Sequence, residues 1–331
     1  MKTQIKQLKK LAHIAFALIA LFTASQAWSQ TPVEKNGWLE VKGQYLVNGQ
    51  GEKVQLAGPS FGWHNWCYPY FNESAVTRMV QEWKASIVRS SIGLDAGEKC
   101  FDKDPQLAYA TVDSMVNAAV KNGIYILIDF HSHKNNLALA KEFFSNVSRK
   151  YGKLPNLIYE VWNEPLDLTW KETKDYTETL IPLIRKNAPK SIIVVPCPHW
   201  DQDIHLAADD PITRYSNLLY SVHFYAATHK DDLRNRVHYA IGKKLPIMYS
   251  ECAAVEANGN GPIDMQSWNE WMKIADENSI SWITWWVCDK NESSALLCPG
   301  TPTDAKQWKE SNYTQWGKTA RRYMQKVADK K

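Results

Sequence analysis

Two glutamates in this chain stand where an apolar, β-rich run stops. Glu164 follows the run 157–162 in LIYEVWNEP, with Asn163 before it and Pro165 behind it. Proline cannot continue a central strand, so the acid is left at a strand end. Glu251 follows LPIMYS, residues 245–250, in the same way. A lone carboxylate at the end of a buried strand is costly to desolvate, and its presence there asks for a use. A carboxyl kept half-desolvated with a raised pKa is a general acid, whereas one hydrogen-bonded by an Arg and a Tyr stays ionised and is a nucleophile. Two such carboxyls about 5–5.5 Å apart meet the requirement for cleaving a glycosidic bond with retention. Glu251 is assigned as nucleophile. Glu164, beside the neutral amide of Asn163 and away from cations, is assigned as acid/base, with Asn163 reaching the sugar's 2-hydroxyl.

Positioning those acids requires a regular scaffold. Strand cores fall near Ala57, Val88, Leu127, Tyr159, Val194, Val222, Met248 and Thr284, 26 to 39 residues apart. Each interval fits one strand–helix–strand unit. Helical spacing and caps fill the gaps: Asn72 opens Val76-Met79-Val80-Trp83, Val112 to Val120 precedes Gly123, and Asp264 opens Trp268-Trp271-Met272-Ala275. A last helix runs over 313–327. The pattern predicts one α/β domain, a single (β/α)8 TIM barrel, whose bottom is closed by an N-terminal β-hairpin over 38–54 turned at Asn48-Gly49-Gln50-Gly51. A doubly wound sheet would show a Gly-rich first turn, and none is present. In a barrel, functional residues gather at strand C-termini. Arg89, His131, Asn163-Glu164, His223-Phe224-Tyr225, Glu251 and Trp285-Trp286 all fall near such ends. Trp83, Trp268, Trp271 and Trp316 sit at helical spacing and are read as core.

The chain begins with Lys2, Lys6, Lys9 and Lys10, an apolar run from Leu11 to Phe22, and small residues up to Ala27. That is the pattern of a secretory signal peptide over 1–29, with cleavage after Ala27 or Ser29. The catalytic barrel is then 30–331, and the expected destination is secreted or periplasmic, with no membrane anchor after cleavage. Those four lysines are the segment's only charges. Without them 35 basic residues of 39 remain against 35 acidic ones, a balance that argues against nucleic acid as a partner. Six cysteines in an oxidising destination allow disulfides. Cys288 with Cys298 would close a short loop and Cys67 with Cys100 would tie two successive loops; spacing does not choose.

The runs VRSS around Arg89, IYILIDFH ending at His131, YGKLPNLIYEVWNEP, HWDQDIHLAADDP from His199, YSVHFYAATH and SWITWWVCDKNESSALLCPG resemble glycoside hydrolase family 5, within the retaining clan whose acids sit on strands four and seven. The likeness covers nearly all of the chain after the leader and is nearest to the bacterial endo-β-1,4-glucanases. It implies a cofactor-free monomer acting on β-glucan. It further implies that Arg89 and Tyr225 orient the nucleophile, that His131 and His223 line the cleaved subsite, and that Trp285 is the floor under the −1 sugar. Trp200 would lie beside the aglycone and Lys290 would donate to a glycone hydroxyl. Three departures stand out. Cys252-Ala253-Ala254 replaces an aromatic-Gly pair after Glu251. The first-strand loop GPSFGWHNWCYPYFN lacks the usual His, for which His64 or Trp66 is the expected substitute, with Trp63 a further loop aromatic. Trp286 occupies a position where small residues are common, and is expected to pack outward.

Two other classes are compatible with parts of the sequence. His131-Ser132-His133 imitates a His-x-His metal site, which would make a metal-dependent hydrolase, but such pairs belong on the first strand of a barrel and no Asp closes strand eight; no metal is expected. A non-catalytic sugar-binding barrel is the other, disfavoured by two intact glutamates. Within the enzyme class, β-mannanase and xyloglucan or mixed-linkage glucan hydrolase remain open, because fold does not fix substrate.

Overall fold

The computed structural model describes residues 30–330; the proposed signal peptide lies outside them. Eight parallel strands close on themselves: β1 Ala57–Phe61, β2 Ile87–Gly93, β3 Tyr125–His131, β4 Leu157–Glu160, β5 Ile192–Val195, β6 Leu218–Tyr225, β7 Ile247–Ala253 and β8 Ser281–Thr284. Trp282 and Ile283 of β8 pair with Ala57 and Gly58 of β1, which completes the ring. This is the expected (β/α)8 barrel, and each anticipated strand core lies inside its strand. Helices pack around it, including α1 Glu73–Trp83, α2 Pro105–Lys121, α3 Met265–Asn278 and α4 Gln315–Ala328. Asn72, Asp104, Asp264 and Thr314 cap their N-termini by accepting backbone N–H bonds, satisfying donors a helix leaves unpaired.

Period-two alternation along the strands separates two cores. Ile87, Tyr125, Leu127, Ile158, Ile192 and Val194 point inward at the bottom, where Leu39, Leu46, Val54 and Leu56 of the hairpin region join them. Val88, Ile126, Phe130, Tyr159 and Phe224 point outward against the helices. Trp83, Trp268, Trp271 and Trp316 are fully buried in this outer layer, as expected. The hairpin therefore closes the bottom, but its turn differs from the expectation. Strands Glu40–Lys42 and Tyr45–Val47 pair across Gly43, and the Asn48–Gly51 turn comes next, carrying a single bridge from Val47 to Lys53. Gly43 has φ +60, a conformation glycine adopts without steric cost.

The disulfide is also a correction. Cys67 bonds Cys288 across a sequence separation of 221, with Cα atoms 5.9 Å apart. Neither pairing suggested by nearness in sequence occurs. Barrel closure makes the loops after β1 and β8 neighbours, and Cys100 instead turns its thiol to Gly97 O and Asp102.

Candidate active site

Arg89 forms the floor. It is the third residue of β2, deeper than the strand end anticipated, and fully buried. Its Nε donates to Glu160 Oε2 at 2.7 Å, Nη1 to Glu251 Oε2 at 2.8 Å, and Nη2 to Asn163 Oδ1 at 2.7 Å. Asp129 Oδ2 lies 2.9 Å from Nη2. Burial alone would weaken the guanidinium's hold on its proton, but Asp129, Glu160 and Glu251 outweigh it and push its pKa up. Burial likewise acts to raise Glu160, yet Arg89 and then His223 draw it down to about 2. One guanidinium faces three carboxylates, and burial pushes Asp129 well above the usual carboxylate range. Asp129 is bonded at 2.6 Å to His131 Nδ1, whose ring burial and Arg89 keep neutral. The proton in this group belongs to the Asp129–His131 pair.

Glu251 points into the barrel because β7 carries an extra residue. Ser221 and His223 of β6 pair with Met248 and Glu251, two steps against three, and β8 shows the same mismatch. Strict alternation from inward Met248 would turn Glu251 outward; the bulge re-aims it. Tyr225 OH then donates to Glu251 Oε1 at 2.7 Å while Arg89 holds Oε2. Burial and the Glu251 charge push the Tyr225 phenol's pKa up, so it remains a donor.

Glu164 sits four residues past the end of β4, and the ladder reaches it one bond at a time: Asn163 N donates to Phe130 O and Glu164 N to Ser132 O. Its surroundings correct the sequence reading. Glu164 is flanked by two histidines, His133 Nε2 on Oε2 at 3.0 Å and His223 Nδ1 on Oε1 at 2.8 Å. Burial would raise this carboxyl, but the hydrogen bonds from His133 and His223 outweigh it and hold it well below its ordinary range. His223 is held charged despite burial, by Asp201 first and then by Glu160 and Glu164; its Nε2 lies 2.9 Å from Ser250 Oγ and 3.3 Å from Asp201 Oδ2. One oxygen each of Glu164 and Glu251 lie within 4.8 Å of one another.

These groups open into a cleft of about 620 Å³. Asn163, His131, Tyr225, Trp285, Trp200 and Lys290 line it, as do Trp63 and Trp66. Of the aromatics lining the cleft, Trp200 and Trp66 are exposed, at 40% and 54%. Asn163 gives its amide oxygen to Arg89, which leaves its NH2 as the end that can meet a hydroxyl. Lys290 Nζ is held at 2.6 Å by Glu292. His64 is not in the cleft: it is fully buried and its Nδ1 accepts from Gly93 N at 2.9 Å. Trp66, not His64, faces the cleft from the first loop. Trp286 also contradicts expectation. Rather than packing outward it lines the cleft, stacked on Trp285 at 4.9 Å, with Nε1 on Glu292 at 2.8 Å. A Cβ on Gly62 would lie 2.2 Å from this ring, so the glycine of the first loop leaves the space that Trp286 fills. His131 and His133 do not converge as metal ligands; one ring turns to Asp129, the other to Glu164.

Sequence reasoning missed Asp129, Glu160 and Asp201, buried acids that hold Arg89 and the histidines, and the contact of His133 with Glu164. Period two from Arg89's paired register marks Asp129 and Glu160 as inward-facing polar residues in apolar strands, a signal that was available. Asp201 follows His199 and Trp200 in a turn where all three have φ near +56, which no sequence pattern announces.

The model of the cellulase family, glycosyl hydrolase family 5, matches residues 47–291. Endoglucanase Z of Dickeya dadantii is 35% identical over 304 residues, 88% of this chain and 68% of its own length. The chain spans about two thirds of the length of the curated relatives it matches. A solved structure from Cytophaga hutchinsonii superposes with TM-score 0.87 at 36% identity, covering 90% of this chain and 98% of that one. The catalytic domain of Thermobifida fusca endoglucanase Cel5A, solved in complex with cellotetraose, gives 0.84 at 28%, covering 89% and 100%. With the fold, the extent of the match and these identities agreeing, the chain belongs to glycosyl hydrolase family 5, the cellulase family.

Proposed function

We propose that this chain is an exported, retaining endo-β-1,4-glucanase that cleaves internal bonds of β-glucan by double displacement, acting as a monomer without a cofactor. The observation that carries the reading is the pair of carboxyls, an oxygen of each within 4.8 Å, one gripped by Arg89 and Tyr225 and the other by histidines. That spacing suits direct attack and leaves little room for an intervening water, as an inverting pair would need. Glu251 attacks the anomeric carbon as the C1–O bond breaks, and Glu164 protonates the departing oxygen. Water then attacks C1, Glu164 takes its proton, and Glu251 is released. Trp285 supplies an apolar floor, Trp200 and Trp66 flank it along the cleft, and Asn163 and Lys290 meet hydroxyls. Residues 1–29 direct export, which N-terminal sequencing of the exported protein tests: its first residue should be Trp28 or Gln30.

The deciding experiment is reducing-end release on carboxymethylcellulose, mixed-linkage glucan, xyloglucan and glucomannan, with Glu251→Gln as control. Turnover of the cellulose derivative, reduced by at least about 10³-fold in the variant, is expected. Activity on mannan alone would keep the acids and sink the substrate. Inactivity on the whole panel would favour a binding protein.

A further inference from the structure

Glu164 at rest has a donor on each oxygen, His133 on Oε2 and His223 on Oε1. An acid must nevertheless bring a proton to the departing oxygen, so one donor has to hand its proton over and free that oxygen. The two histidines are unequal in this respect. His223 is 2% exposed in its side chain and anchored on its far side by Ser250 Oγ. His133 is 40% exposed and lines the cleft. Its loop is pinned from behind, with Ser132 O accepting from Trp162 Nε1 and Ser132 Oγ bonded to Asp95, while the imidazole, besides its bond to Glu164, has the tilted Trp63 ring at 5.8 Å and His131 at 6.4 Å.

We propose that His133 is a positioning residue for the acid/base: between turnovers it keeps on Nε2 the proton that Glu164 delivers to the departing oxygen. The charged groups facing it are Glu164 and Glu251 on one side and His223 on the other, with His131 beside it; the hydrogen bond to Glu164 dominates burial and holds its pKa above the ordinary histidine value. When the substrate's aglycone oxygen arrives, the N–H bond of the imidazolium breaks and an O–H bond forms on Glu164 Oε2. The neutral ring turns aside, and that proton passes to the departing oxygen as C1–O breaks and Glu251 bonds to C1. In the second step the attacking water's proton goes to Glu164 and back to Nε2. Each cycle consumes one water and leaves His133 as it began. Holding the proton jointly keeps the acid loaded at a pH where a carboxyl alone would be empty.

The inference rests on Glu164 being the acid/base, and the test separates the two. His133→Gln, Glu164→Gln and wild type are compared on cellotetraose and on 2,4-dinitrophenyl β-cellobioside, whose departing group needs no proton. For His133→Gln the expected result is a fall in kcat/KM of about 10–100-fold on cellotetraose and under about 3-fold on the dinitrophenyl substrate, with the alkaline limb of the cellotetraose profile moved about one pH unit lower. A role confined to folding or sugar binding would depress both substrates alike with both limbs unmoved, and would overturn the proposal. If Glu164→Gln also shows no discrimination between the substrates, the assignment of Glu164 itself fails. Discrimination in Glu164→Gln without it in His133→Gln overturns the role of His133 alone.

Discussion

At the scale of single residues, Arg89 decides the electrostatics of the cleft. It is the guanidinium that Asp129, Glu160 and Glu251 share, and its side chain is fully buried. Removing one partner of a buried ion pair costs far more than the pair is worth, because the survivor's charge stays buried. Arg89→Met should therefore lower the unfolding free energy by about 3–5 kcal/mol, measured by urea unfolding, as well as abolish turnover. Tyr225→Phe is milder. It removes one of the two donors on Glu251 and leaves the ring packed, so kcat should fall about 10- to 100-fold with KM little altered and the urea midpoint within experimental error of wild type. A rise in KM of the same size with kcat unchanged would show that the hydroxyl serves substrate binding instead. His64 gives a pH-dependent case. Burial lowers its pKa from 6.5 to about 4, so the unfolded chain takes up a proton there that the folded chain refuses. Folded-state stability on its account is full above pH 6.5 and declines as pH falls towards 4. The Tm gap between wild type and His64→Gln should accordingly narrow over that window.

Elements account for how the side chains are aimed. The β7 bulge places both Ser250 and Glu251 inside the barrel, and without it Glu251 would face the helices. The loop after β1 has a comparable role for the Trp285–Trp286 pair. Gly62 is needed there because a Cβ would come within 2.2 Å of Trp286 and 2.7 Å of Trp285. Both rings are wedged, Trp286 against Trp285 and Trp285 parallel to His131 at 5.5 Å, so neither can yield cheaply. Gly62→Ala should cost about 1–3 kcal/mol of stability and raise KM for oligosaccharides by displacing the floor. An unchanged KM alongside the lower stability would mean that Trp285 is not the sugar platform.

For the molecule as a whole, closure of the barrel makes neighbours of the first and last loops. The Cys67–Cys288 bond locks that seam over a separation of 221 residues. Closing so long a loop restricts the unfolded chain, and the double variant Cys67→Ser/Cys288→Ser should lose about 2–4 kcal/mol. The same loss should appear when the wild type is reduced before thermal unfolding. An exported protein can form this bond, which agrees with the leader-like residues 1–29.

Much of this was legible in the chain as written. Period-two and helical spacing, strands 26 to 39 residues apart and apolar runs ending at Glu164 and Glu251 required a barrel with two acids at its mouth, since hydrophobic periodicity is local and reports which side of a strand is buried. Asn72 and Asp264 could be read for the same reason, as caps depend on neighbours in sequence, whereas the hairpin turn was read at Asn48–Gly51 and falls at Gly43. Tertiary structure alone decided the rest. Whether His64 or Trp66 faces the cleft depends on a loop whose backbone has no repeating pattern. The inward turn of Glu251 depends on one surplus residue that pairing across two other strands defines. Cys67 meets Cys288 only because the sheet closes. Glu164 looked isolated in sequence, yet it lies between His133 and His223, 31 and 59 residues away. Charge acts through space, so the proton's place in this site could be read only once the fold had brought those rings to the carboxyl.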